Sequence, residues 1–350
     1  MSLSKIRPFY DPRVQLRSAH LNGRTYGYIF CPASVQPAKW GTIVLVHGFP
    51  DLAFGWRYQI PFLTNLGLDV IAIDCMGYGR TDAPESLLAD YSFRRVANDI
   101  ELLCQQHMIS RIILGGHDWG GGVVYRVALY KPHLVSHIFS ICTPFFPPSP
   151  VYEPLPVTVA ERLHNFGYQV HFATGEVEEA VQSRTEIRQF LANMFGARTA
   201  ERVKAFSAER GLLLDLQRRV TKSILLSEEE MDFYVQEYSR HGVRGPLNWY
   251  RTREINFMDE YAYFYDNGRN KDAQVIVQQE CLFVMATRDT ALRPYMSEGM
   301  EKHMKRLTKK KIVANHWTLW EQPEQCNAII GEWLQEKVFP AIVAGEKSKL

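Results

Sequence analysis

Four short apolar runs punctuate the first 145 residues: GTIVLVHG (41–48), LDVIAID (68–74), RIILGGHD (111–118) and VSHIFSIC (135–142). Each has the four to eight continuous apolar residues of a strand buried on both faces, and the stretches between them, such as SFRRVANDIELLCQQH from Ser92, read as helices. Strands joined by helical crossovers pair in parallel, because neighbouring parallel strands need a long connection. The expected fold class is therefore α/β, a mostly parallel sheet with helices on both faces.

A length of 350 residues allows two or three average domains. The pattern beyond residue 145 narrows the choice. A proline-rich hinge, TPFFPPSPVYEPLPV, leads into roughly a hundred residues of helical character with no strand-like run. Within them Ser227-Glu228-Glu229-Glu230 reads as a capping box and Gly242 as a helix stop. The strand signature returns at ECLFVMATRD (280–289) and weakly at KKKIVAN (309–315), before a closing helix from about Pro323. Lys309, Lys310 and Lys311 read as a solvated strand entrance. The expected organisation is a core of 1–144 and 263–350, interrupted by a helical lid at 145–262.

Lysine plus arginine (40) nearly balance aspartate plus glutamate (38), and a net charge of +2 gives no footprint for nucleic acid or an anionic membrane. No run approaches the roughly 20 apolar residues of a membrane span, and MSLSKIRPFYDPRV has no apolar stretch long enough for a signal peptide. The six cysteines lie far apart, without CxxC or zinc-like spacing, and read as reduced, hydrophobe-like thiols. The terminal Ser348-Lys349-Leu350 is the tripeptide read by the peroxisomal import receptor, so a peroxisomal location, shared with the cytoplasm, is expected.

The chemistry centres on Gly116-His117-Asp118-Trp119-Gly120-Gly121, between the strand RIIL and the helical GVVYRVALY. A strand-to-helix turn of the form small-x-nucleophile-x-small is strained, requires glycines where backbones pass closely, and lifts its central side chain at the helix N-terminus. Here that residue is Asp118 where esterases carry serine. A carboxylate is ionised at neutral pH and suits displacement at a saturated carbon, giving an alkyl ester. The structural alternative is that Asp118 caps the following helix. In this fold the nucleophile is followed along the chain by an orienting acid and a histidine. Asp289, at the end of CLFVMATRD, and His316, in NHWTLWEQP, stand in that order. The other histidines weighed, including His107, His133, His137, His171, His241 and His303, read as structural or exposed. His47-Gly48-Phe49-Pro50 ends the first strand, so the Phe49 amide, with that of Trp119, is placed to form an oxyanion hole. Nothing in the sequence calls for a cofactor or a metal.

HGFPDLAFGWRYQ, DCMGYGRTDAP, GGHDWGG, NWYR, LFVMATRD and HWTLWEQPE together resemble the α/β-hydrolase-fold epoxide hydrolases, most closely the hydrolase domain of the soluble enzymes. The resemblance covers nearly the whole chain. It implies conversion of a small apolar epoxide and water to a vicinal diol, with two lid tyrosines polarising the epoxide oxygen. The match places these at Tyr168 (FGYQV) and Tyr250 (NWYR), although Tyr168 also fits an ordinary packing role. Phe49, Pro50, Trp119, Gln169 and Trp317 would line the substrate site beneath the lid, in a monomer or homodimer. Asn315 precedes His316 where the family commonly has glycine, a position where asparagine can adopt a left-handed backbone. The nearest alternative is a haloalkane dehalogenase, which shares the triad, but Phe49 offers no side-chain donor for a halide. A non-catalytic ligand-binding protein on the same fold would be favoured by loss of a triad member, and all three are present.

Overall fold

The computed structural model describes residues 3–266 and 274–347. Ser348, Lys349 and Leu350 lie outside the described residues. The chain forms two compact units: Met1–Asp74, Ala97–Phe146 and Ile276–Leu350 make the first, Cys75–Val96 and Pro147–Val275 the second.

The first unit holds an eight-stranded sheet of β1 (Gln15–Leu21), β2 (Arg24–Cys31), β3 (Thr42–Val46), β4 (Asp69–Ile73), β5 (Ile112–His117), β6 (Val135–Ile141), β7 (Glu280–Ala286) and β8 (Leu307–Ile312). Their spatial order is β1-β2-β4-β3-β5-β6-β7-β8. The β1/β2 and β2/β4 pairs are antiparallel; the other five are parallel. The expected strands at 41–48, 68–74, 111–118, 135–142 and 280–289 correspond to β3 to β7. Their register aligns Ile71, Val44, Leu114, Ile138 and Cys281 across the sheet, and every one of these is buried.

Two features of this unit depart from the sequence reading. The β1–β2 hairpin was not among the expected strands; Asn22 and Gly23 turn it with φ of 48° and 81°, and β1 alternates between exposed and buried positions instead of forming an apolar run. The three lysines lie inside β8, not at its entrance. Lys309 donates to the Ser297 carbonyl and Lys310 pairs with Glu332, which suits an edge strand where charge discourages pairing with another chain. The six cysteines are free and buried, and no helix among the described residues is long and apolar enough to cross a membrane.

Among its described residues the second unit is mainly helical, with a minimal ladder of Phe206–Ser207 with Gly211–Leu212 and isolated bridges of Arg198 with Lys204 and Thr199 with Val220. Its bounds differ from the expected 145–262. It runs to Val275 and takes in Cys75–Val96, because Trp249 Nε1 donates to the Met76 carbonyl at 2.9 Å, Gly77 packs directly on Gly245, and Tyr78 meets Tyr238 edge-on at 6.2 Å. Ser227 and Glu230 form the expected capping box of the helix Glu228–Tyr238, and Gly242, at φ 70°, follows its end. A second box, Ser183 with Glu186, opens the helix Arg184–Met194.

Candidate active site

Asp118 occupies the sharp turn from β5 into the helix α1 (Trp119–Tyr130), with φ 54° and ψ −122°, a region that L-residues avoid unless the surroundings impose it. The imposition comes from close packing. A Cβ on Gly116 would overlap the Gly120 carbonyl, and one on Gly120 would overlap the Val46 carbonyl at the end of β3. Thr143 donates its hydroxyl to the Asp118 carbonyl at 2.6 Å. As N-cap residue of α1, Asp118 makes no side-chain cap hydrogen bond, so the capping alternative is not what its carboxylate does. The Phe49 amide donates to Asp118 Oδ1 at 2.7 Å, and the Trp119 amide also hydrogen-bonds this carboxylate. The Phe49–Pro50 peptide is cis.

Asp289, after β7, and His316, after β8, are brought to the same end of the sheet. His316 Nδ1–H donates to Asp289 Oδ2 at 2.8 Å, leaving Nε2 3.6 Å from Asp118 Oδ2. Asp289 is itself fixed by the amides of Ala291 and Leu292, which donate to Oδ1 at 2.8 and 3.0 Å. Burial raises the Asp118 pKa, with the His316 charge and the two amides opposing it. For Asp289 burial also acts upward, but His316 and the amides outweigh it and the net shift is down. Burial disfavours a charged His316; the two carboxylates overcome that and raise its pKa to about 9. The resting ring is therefore an imidazolium held between two acids at neutral pH.

Trp317 is buried, stacked on Trp320 at 4.5 Å and edge-on to His316 at 5.2 Å. Asn315 does not adopt the left-handed backbone considered for it; its amide and side chain both donate to Glu321 Oε2, at 3.0 and 2.9 Å. His117, which the sequence reading left without a role, lies under the histidine. Its Nε2–H donates to the His316 carbonyl at 2.9 Å, and burial lowers its pKa to about 3, so the ring is neutral. Adjacency to the nucleophile was a visible signal, but a bond spanning 199 positions was not. His117, Cys142 and His316 are the group of metal-type donors found among the described residues. Cys142 Sγ also donates to the His316 carbonyl, at 3.5 Å, so His117 and Cys142 converge on a peptide oxygen and fix the loop of the histidine.

In the second unit, Tyr168 lies in the first turn of the helix Gly167–Thr174 and Tyr250 in the 3₁₀ turn Trp249–Arg251. Both are buried, and their rings meet edge-on at 5.9 Å. Gln169 Nε2 donates to the Tyr168 hydroxyl at 3.3 Å. Phe172 packs against both rings, at 5.6 and 5.1 Å.

Residues 41–323 match the α/β-hydrolase fold family. The epoxide hydrolase srdG of Neurospora crassa is 41% identical over 348 residues, covering 96% of this chain and 99% of that protein. The bifunctional epoxide hydrolase 2 of Sus scrofa is 32% identical over 335 residues, covering 93% of this chain but 58% of the pig protein, so this chain spans little more than half of that relative. The crystal structure of epoxide hydrolase A from Mycobacterium thermoresistibile superposes with a TM-score of 0.74 at 26% identity, covering 92% of this chain and 98% of that one. Identity of that degree over nearly the full length of a relative, on the same fold, makes this chain a hydrolase belonging to the epoxide hydrolases of the α/β-hydrolase family.

Proposed function

We propose that this enzyme opens its epoxide through a covalent ester on Asp118. Asp118 Oδ2 attacks an oxirane carbon, the C–O bond breaks, and Tyr168 and Tyr250 donate to the departing oxygen, which stays on the product as a hydroxyl. The product of this step is a hydroxyalkyl ester. After opening, the imidazolium of His316 releases its proton through solvent while the tyrosinate left by the proton transfer takes one back; the neutral ring, oriented by Asp289, then takes a proton from the water that attacks the ester carbonyl. The developing charge falls on Oδ1, which already accepts from Phe49, and collapse of the intermediate frees a vicinal diol and regenerates the carboxylate.

The observation that carries the reading is the disposition of Asp118: one oxygen on the Phe49 amide, the other 3.6 Å from His316 Nε2, with Asp289 fixing the far side of that ring. The electrostatics supply a sequence of events. Esterification removes the Asp118 charge, one of the groups that hold the His316 pKa at about 9, so the ring loses a stabilising partner as its proton has to leave. Phe49, Pro50, Trp119, Gln169 and Trp317 are proposed to contact a small apolar epoxide. Mixing a His316→Gln variant with a panel of epoxides should leave an adduct of epoxide mass on the Asp118 peptide. No adduct with any of them, together with halide release from haloalkanes by the native enzyme, would overturn the mechanism in favour of dehalogenation.

A further inference from the structure

Arg251 follows Tyr250 in the same 3₁₀ turn, and its guanidinium binds three acceptors on three elements of the second unit. Nε donates to the Ala173 carbonyl in the last turn of the Tyr168 helix at 3.1 Å; Nη1 donates to Asn248 Oδ1 at 2.8 Å; Nη2 pairs with Glu178 Oε2 at 2.6 Å. Glu178 belongs to the next helix, Glu176–Ala180, and less than a fifth of either charged side chain is exposed. A pair so shielded keeps much of its Coulomb attraction, and a planar fork with three partners fixes direction as well as distance.

We propose that Arg251 is a positioning residue for epoxide opening. Through Nε on the Ala173 carbonyl, Arg251 clamps the turn carrying Tyr250 to the end of the helix carrying Tyr168, and its pair with Glu178 on the next helix holds the guanidinium in place, so that the two phenols are presented as one rigid donor pair. This rests on the assignment of the tyrosines as proton donors made above. These contacts of the clamp lie within the second unit, on the elements around the two tyrosines, so it acts on formation of the ester and not on its hydrolysis. Lysine could keep the charge but would lose the fork.

The test is single-turnover kinetics with enzyme in excess over styrene oxide, separating ester formation from ester hydrolysis, for native enzyme, Tyr250→Phe, Arg251→Lys and Glu178→Gln. Ester formation is expected to slow on the order of 10- to 100-fold in Arg251→Lys and Glu178→Gln, the cost of misplaced groups, while hydrolysis of the ester stays within about twofold of native. Equal slowing of both steps would overturn the proposal in favour of a general structural role. If Tyr250→Phe slows ester formation and neither clamp variant does, the clamp fails while the tyrosine assignment stands; if Tyr250→Phe leaves ester formation at the native rate, the tyrosine assignment itself fails. Should Arg251→Lys not fold, Glu178→Gln decides alone.

Discussion

Asp118 shows how a backbone strain and a charge are imposed together. Its positive φ is held by glycines too close to other backbone to carry a side chain, and its carboxylate is held by an amide from a different loop. At Gly48 an added Cβ would overlap the Asp118 carboxylate. Gly48→Ala is therefore expected to lower kcat/KM on the order of 100-fold and unfolding free energy by about 1–3 kcal/mol, measured by diol formation and urea titration. Asp289→Asn removes the partner that contributes most to raising the His316 pKa. The imidazole resonance in that variant, followed by NMR, should titrate well below about 9, and turnover should fall by at least about 100-fold because the ring loses its orientation. The linkage has a definite sign. A histidine whose folded pKa, about 9, exceeds its ordinary 6.5 stabilises the fold fully below about pH 6.5, and that contribution disappears as pH rises through about 9. The stability difference between native enzyme and His316→Gln should shrink across that window in urea titrations at successive pH values.

The central strands were legible because burial on both faces leaves a continuous apolar run, as in TIVLV and IILGGH. The edge strand β1 is half exposed and lacks such a run; β2 is buried and paired on both sides, and its YGYIFC, together with the Asn22-Gly23 turn before it, is the signal that marks the hairpin. Of two capping boxes, Ser227 to Glu230 stands out through its three consecutive glutamates, whereas Ser183-Arg184-Thr185-Glu186 has the same spacing without that emphasis. Replacing Ser227 by alanine frees the Glu230 amide and should cost about 1 kcal/mol in urea unfolding. A larger effect belongs to the junction of β3 with α1. Gly120→Ala brings a methyl into the Val46 carbonyl, where both partners are backbone and neither can rotate away, so a loss of about 3 kcal/mol or more is expected, read as a fall in Tm or in soluble yield.

For the chain taken as one enzyme, the terminal tripeptide is proposed to act as an address. Deleting Ser348, Lys349 and Leu350 should move a tagged protein from peroxisomes to the cytosol, and an unchanged distribution by microscopy would refute it. The same deletion should leave turnover in vitro at the native level, since none of the proposed chemical groups lies there. Much of this enzyme could be read from neighbouring residues: alternation of strands and helices, a glycine-flanked aspartate, the chain order Asp118, Asp289, His316. These are local patterns, and backbone sterics and burial act locally. What could not be read are relations between distant segments. The Cys75–Val96 loop joins the helical unit through Trp249 and Gly245, the His316 loop is tethered by His117 and Cys142, and Arg251 reaches Glu178 across 73 positions. A hydrogen bond or a close backbone contact depends on which surfaces meet once the chain has packed, and no periodicity records which distant partner will be there.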